Sequence, residues 1–458
     1  MRRRRNIAIL VAAAGLMLAL LAMLLLRPQP AAALAQGGAG HVGVATCGGT
    51  TCHGRSEADG KIVRQDELMT WQDEASPAGA HSRAFRVLSE PRSQAIARRL
   101  GIGEATSAPM CLGCHATTVA GTRGPRFQLS DGVGCESCHG AAAGWLASHY
   151  AVGASHAANV ARGMVPLDNP RARAAVCLDC HYGGAGPGRF VNHRVMAAGH
   201  PRLAFELDLF STLQQHHNED ADYASRKGRT DSVRMWAIGQ TMALERALAL
   251  FSDPERGTEG LFPEFYFFDC HSCHRRISDD PRFDPTALAN PGRPIPAGMP
   301  PFNDENMIML AAAAQAVAPA LGARFERDSR AFHQAIARDR GAALAAAKAL
   351  RDSARALGDA FARAEIGRDR TFAIIAAITG TAISERFTDY AGSVQAVMAT
   401  DTLLSALVTS GAIAEPRADA IRADINEAYR AVRDPNAYQP RLFRASLGRA
   451  AAAIQGLR

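Results

Sequence analysis

The sequence predicts a mainly α fold in two unlike parts, a loop-rich region of short helices followed by an antiparallel α-helical bundle. Three observations predict it. Residues 41–285 contain all ten cysteines, are rich in Gly and His, and have few long periodic segments. Residues 279–301 contain seven prolines, at 281, 285, 291, 294, 296, 300 and 301, which interrupt regular structure and mark a linker. Residues 303–458 have no Cys, one His (His333) and Ala-rich segments of helical periodicity. The expected order is an exported segment at 1–35, a cysteine-rich domain at 36–285, a Pro-rich linker at 286–302 and a helical domain at 303–458.

Taken in order, Arg2–Arg5 form a basic start, and Ile7–Leu26 are twenty unbroken apolar or small residues. Ala33-Leu34-Ala35 offers a small-x-small cleavage site before Gln36, the pattern of a signal peptide. Twenty apolar residues are also long enough to cross a bilayer, so an uncleaved anchor through residues 7–26 is the second reading. Either way the basic end stays inside, and the rest is expected in the periplasm or on the outer face of the inner membrane.

Charge is recounted after that step. The chain carries +7, with 51 basic and 44 acidic residues; without Arg2–Arg5 and Arg27 the basic count falls to 46, a net of +2. A high overall pI is then no argument for nucleic acid as a partner.

In the cysteine-rich region the best helix runs from Thr230 to Phe251, with Met235, Trp236, Met242, Leu248 and Phe251 on its apolar face. Beyond the linker, Leu350, Leu357 and Phe361 line one helical face, and Ile421, Ile425, Tyr429 and Val432 line another. Gly411 ends one helix and Pro416 suits the first turn of the next. Five to six antiparallel helices are expected here, in a structural or interaction role.

All ten cysteines fall in signatures ending Cys-His: Cys111-Leu-Gly-Cys114-His115, Cys135-Glu-Ser-Cys138-His139, Cys177-Leu-Asp-Cys180-His181 and Cys270-His-Ser-Cys273-His274. A longer loop comes first, in Cys47-Gly-Gly-Thr-Thr-Cys52-His53. C-x-x-C-H is the attachment pattern of c-type haem, in which two thiols form thioethers and the adjacent His becomes the proximal iron ligand. Zinc needs four N/S ligands and has no use for a His after every second Cys. Five covalent haem c groups are therefore expected, in a loop-rich multihaem c-type domain with short helices. His115 and His139 are 24 residues apart, so their haems are expected to be neighbours. Each haem adds two propionates, and nearby basic residues are expected to pair with them or to shape a docking face.

A second axial ligand decides whether an iron only passes electrons or also binds substrate. Setting aside His53, His115, His139, His181 and His274 leaves ten of the fifteen histidines. His81 opens an expected helix whose Phe85 and Leu88 share its face. His149 follows Trp145 and Leu146. His193 and His200 are seven apart, two turns on one side if a helix persists to Gly199, and could serve two different haems; Pro201 is expected to start the next helix. These four are the candidate distal ligands. His156 lies among Gly and Ala, His216 and His217 beside Asn218, Glu219 and Asp220 as in a solvated loop, His271 inside an attachment loop, and His41 close before the first signature.

At these residues the chain resembles the cytochrome c-554 family of multihaem cytochromes (the c-552/c-554-type domain), over roughly residues 44–285. The resemblance rests on the array of signatures, the long first loop ending Cys52-His53-Gly54, the segment Ala80-His81-Ser82-Arg83-Ala84, and Cys138-His139-Gly140. It implies periplasmic electron carriers, some serving oxidation of reduced nitrogen compounds, with haems stacked in close pairs, mostly bis-His, and in some one five-coordinate iron. It carries over to Cys52-His53, Cys114-His115, Cys138-His139 and Cys180-His181. The founding cytochrome has four haems, so the signature at Cys270 and the C-terminal helices depart from it.

Three functions follow as expectations. The first is electron transfer through five haems between redox partner proteins in the periplasm or inner membrane. The second is an oxidoreductase acting on a small nitrogen or sulfur compound at a five-coordinate haem. The third is a haem-bearing structural subunit docked through its C-terminal helices.

Overall fold

The computed structural model describes residues 40–58, 64–217, 219, 221–258, 261–274, 293–295, 299–385, 387 and 389–458. The expected exported segment and most of the Pro-rich linker lie outside them. The described chain is mainly helical.

Its first part has short helices: α1 (Val44–Cys47), α2 (Glu67–Gln72), α3 (Pro91–Leu100), α4 (Pro109–His115), α5 (Cys135–His139), α6 (Leu146–His149), α7 (His156–Val160), α8 (Pro170–His181), α9 (His193–Ala197), α10 (Leu207–Leu213) and α11 (Ala221–Lys227). Two longer-range elements follow, α12 (Ser232–Ser252) and α13 (Cys270–Cys273). Among its described residues the C-terminal part has seven helices where five to six were expected: α14 (Glu305–Val317), α15 (Pro319–Ile336), α16 (Arg340–Arg363), α17 (Arg368–Ala382), α18 (Tyr390–Thr409), α19 (Glu415–Ala431) and α20 (Pro440–Gln455). The extra element arises because Ala318 alone separates α14 from α15, with Pro319 opening the new helix.

Most of these boundaries have a local cause. Pro occupies the first turn of α3, α4, α8, α15, α19 and α20. Asp231, Asp339 and Asp389 accept a backbone N–H at the starts of α12, α16 and α18. Gly411, at φ 75°, turns the chain between α18 and α19, and Pro416 falls in the first turn of α19.

One continuous apolar core runs through the C-terminal helices, from Phe325 and Phe332 through Leu350, Leu357 and Phe361 to Phe443 and Ile454. Helix α18 is long and apolar enough to cross a membrane, yet 72% of that stretch is buried inside the fold. Helix α12 belongs to this core as well. Trp236, Ile238, Leu248 and Phe251 join it, while Met235 and Ala243 pack with Ala174, Leu178 and Tyr182 of the α8 segment. A helix buried all round is a core helix, so α12 is the shared wall of the two parts. Gly239 permits its approach to α10, because a Cβ there would meet Leu207 Cβ at 2.5 Å.

Candidate haem sites

In three of the five signatures the attachment cysteines are placed by helices that end on the motif histidine. In α4, α5 and α8 the two cysteines and the His stand at i, i+3 and i+4, positions that share one helical face. The first signature is built differently. Helix α1 ends at Cys47, and the Gly48–Thr51 turn brings Cys52 and His53 back, with His53 N donating to Cys47 O at 3.2 Å. All ten cysteines are free of disulfides.

Residues between the cysteines hold the motifs in place. The buried Glu136 carboxylate accepts from Val42 N, Gly43 N and Ala142 N at 2.9, 2.9 and 2.7 Å, tying the segment before the first signature to the third. Gly113 allows the second signature to lie against the 187–188 turn, where a Cβ would meet Pro187 O at 2.7 Å.

Thiols of different signatures meet. Cys47 sits against Cys135, and Cys114 against Cys180. Cys138 and Cys177 are also close enough to interact. Burial pushes the Cys138 thiol up to about 12 and the Cys177 thiol up to about 11, so both are protonated at neutral pH rather than nucleophilic.

The decisive geometry is among the histidines. Every motif His faces one imidazole from outside the motifs, and the five centroid separations are nearly equal. They are His53–His149 at 6.3 Å, His115–His200 at 6.3 Å, His139–His216 at 6.2 Å, His181–His81 at 6.3 Å and His274–His193 at 6.1 Å. A metal–imidazole bond of about 2.0 Å on each side, plus the distance from ring nitrogen to ring centre on each side, sums to about 6 Å. Directly packed rings in this chain span 4.9 Å, as in His181–Phe205, to 6.4 Å, as in Phe267–Phe302, so what marks these five pairs is that the spacing recurs at every motif His with an imidazole as partner. The residues therefore fit a metal held between two imidazoles. Among the described residues no group of three or more His, Cys, Asp or Glu is arranged around a metal, so the remaining ligands would come from a macrocycle.

Hydrogen bonds leave the right nitrogen available. His53 Nδ1 lies 3.0 Å from Glu67 Oε2. The Nδ1 atoms of His115, His149, His200 and His216 donate to Ala84 O, Leu146 O, Pro201 O and Gln214 O at 2.7, 2.5, 2.8 and 3.2 Å. Each bond fixes the ring so that Nε2 can bind metal. Burial, followed by repulsion from His81, pushes His181 down to about 4, and burial lowers His81, His193, His200 and His216. These rings are then neutral, the form that ligates. His53 is raised instead by its hydrogen bond to Glu67.

The other histidines face elsewhere. His156 Nε2 contacts Asp168 at 3.2 Å, and His217 Nε2 lies 3.9 Å from Glu219. His41 is buried against Phe127, His271 Nδ1 donates to Pro435 O at 3.3 Å, and His333 is buried beside Asp304.

Two local expectations differ. His81 sits on a turn between the 3-10 segments Pro77–Ala80 and Arg86–Ser89, because Pro77 and the serine hydroxyls there favour tight turns over an α-helix. Helix α9 has only five residues and Gly199 (φ 118°) ends the run, so His193 and His200 diverge to separate partners; the next helix begins at Leu207, not Pro201. His216 is the facing residue that sequence reasoning passed over.

Residues 46–140 match the family model described as cytochrome c554 and c-prime. Over that span the chain is similar to cytochromes of the c554 type. The matched span holds the first three signatures, and the family implies covalent haem c. No curated protein and no solved structure matches the chain.

Proposed function

We propose that this chain is a periplasmic c-type cytochrome that relays electrons through five covalently bound bis-histidine haems between redox partner proteins. The observation that carries the reading is the set of five motif histidines, each opposed by one further imidazole at 6.1–6.3 Å. In this reading Cys47/Cys52, Cys111/Cys114, Cys135/Cys138, Cys177/Cys180 and Cys270/Cys273 hold the porphyrins. When bound, each haem supplies a one-electron iron couple whose potential depends on axial ligation, hydrogen bonding and burial. The polypeptide orients the imidazoles, keeps solvent from the iron faces and sets the distances.

Contacts between signatures suggest an order of sites. The first meets the third through Cys47 and Cys135, the third meets the fourth through Cys138 and Cys177, and the fourth meets the second through Cys180 and Cys114. The second and fifth are joined by the segment from His193 to His200, which Arg92 and Arg99 pin to α3 through Gly199 O and Ala198 O. A catalytic site needs an iron with an open position, and every motif His here has an opposing ring, which favours the carrier over the oxidoreductase.

The test is the intact mass of the mature protein from cells competent in cytochrome maturation. It should exceed the polypeptide by five haems that acid–acetone does not extract. Four or fewer would overturn the five-haem reading.

A further inference from the structure

The fifth signature is fastened to the C-terminal helices by a buried carboxylate. Cys270 opens α13, and the residue before it, Asp269, is buried. Its two carboxylate oxygens serve two elements at once. Oδ2 accepts from Ser272 N at 3.0 Å, inside the attachment loop. Oδ1 accepts from Tyr390 N at 3.0 Å and Ala391 N at 3.4 Å, at the start of α18. One side chain thus caps the haem-attachment turn and a core helix together.

The surroundings extend the link. Asp269 N donates to Pro301 O at 2.9 Å, Asn303 N donates to Phe267 O at 2.8 Å, and Phe268 pairs with Phe302 in an antiparallel bridge. His271, between the two cysteines, turns away from the iron position, donating to Pro435 O and meeting the Tyr438 ring edge-on at 5.0 Å. Behind Asp269, Arg293 joins Asp389 at 3.0 Å and Asp304 at 2.5 Å, bracing the starts of α18 and α14. The opposing imidazole, His193, comes from the other part of the chain, and its backbone N donates to Glu264 Oε1 at 3.0 Å. The fifth site therefore closes only if α13 is held in register against His193.

We infer that the C-terminal helices position the fifth haem site, and that Asp269 is the positioning residue through which they do so. The inference rests on the five-haem reading. It gives the Cys-free C-terminal part of the chain a role in the electron path: α18 fixes the angle and depth of α13, and with them the His274–His193 pair. Asp269 is suited to this because a carboxylate has two acceptor oxygens for two elements, whereas an amide at this position has one.

The experiment compares the wild-type holoprotein with Asp269→Asn and Asp269→Ala by haem count, redox titration and low-temperature electron paramagnetic resonance. In both variants one of the five low-spin signals should shift or become high spin, with a matching shift of one redox wave, while the other four stay in place. The effect should be larger for D269A than for D269N. Asp339→Ala, which removes only a cap at the exposed start of α16, should leave all five signals unchanged and serves as the control. If D269A does not yield holoprotein, D269N alone is read by the same criterion. Five unchanged signals in D269N, or equal shifts in all five, would overturn the inference. A wild-type count below five would fail the earlier reading instead, so the two failures are separable.

Discussion

The two parts of this chain reach order by different means. The C-terminal helices bury a continuous apolar core in which Phe332, Leu350, Leu357, Phe361, Phe372 and Phe443 are each fully enclosed. Among its described residues the cysteine-rich part has small clusters, such as Leu88 with Ala97 and Ala105, or Leu100 with Val195 and Ala198. Its helices are too short to hold themselves in water. What organises it is polar and specific: the Glu136 clamp, the Nδ1 bonds that aim the imidazoles, and the five His–His gaps. In the proposed reading, bound haems would supply the apolar mass that the sequence omits, much as metals and disulfides staple small domains. A side-chain change should accordingly act globally in the C-terminal core and one site at a time in the other part.

The largest effect that would break this comparison concerns a ligand. His216→Ala removes the ring opposite His139. One site in five should become high spin and bind carbon monoxide after reduction, with the other four unchanged. His156→Ala, whose Nε2 already faces Asp168, should leave every site low spin. Loss of several sites from H216A would mean that the sites are not independent.

Next comes the core. Leu357→Ala empties a fully buried position on α16 and should cost about 2–5 kcal/mol, read as a lower unfolding midpoint with the haem-to-protein ratio of the folded fraction unchanged.

A smaller, pH-dependent effect is expected at the join. Burial, with repulsion from Glu206, raises Asp208 on α10 from its usual range to about 8. Its folded value lies above its unfolded value of about 3.9, so the stability it contributes is fully present below about pH 4 and is lost as pH rises through about 8. Asp208→Asn should therefore raise the melting temperature more at about pH 9 than at about pH 5. An equal change at both would contradict the buried-carboxyl account.

The smallest is a cap. Asp339 Oδ1 accepts from Ala342 N at 2.7 Å at the exposed start of α16, and Asp339→Ala should cost about 1 kcal/mol without touching any spectrum.

The sequence was most legible where covalent chemistry or strong periodicity spoke. The signatures pointed to the candidate haem-binding residues because Cys and His at fixed spacing have few other uses. The apolar faces around Leu350, Leu357 and Phe361 marked a core helix. The packing of α12 into the C-terminal core was readable in principle, since apolar residues occur all round Thr230–Phe251 rather than on one face.

His216 was harder. Its neighbours Asn218, Glu219 and Asp220 look like solvent, and only counting would have found it: five motif histidines with four chosen partners leave one iron short. That His193 and His200 could face different partners was anticipated; what spacing hid is that the helix stops at Ala197 and that the next begins only at Leu207. The role of Asp269 was illegible, because its partners at Tyr390 and Ala391 lie some 120 residues away.

The most direct test of the central claim is spin quantitation of the fully oxidised holoprotein by electron paramagnetic resonance, set against haem content per chain. Five haems per polypeptide, all low-spin ferric and none binding carbon monoxide on reduction, are predicted from the five opposed imidazole pairs. A stoichiometric high-spin signal in the wild-type protein would contradict it.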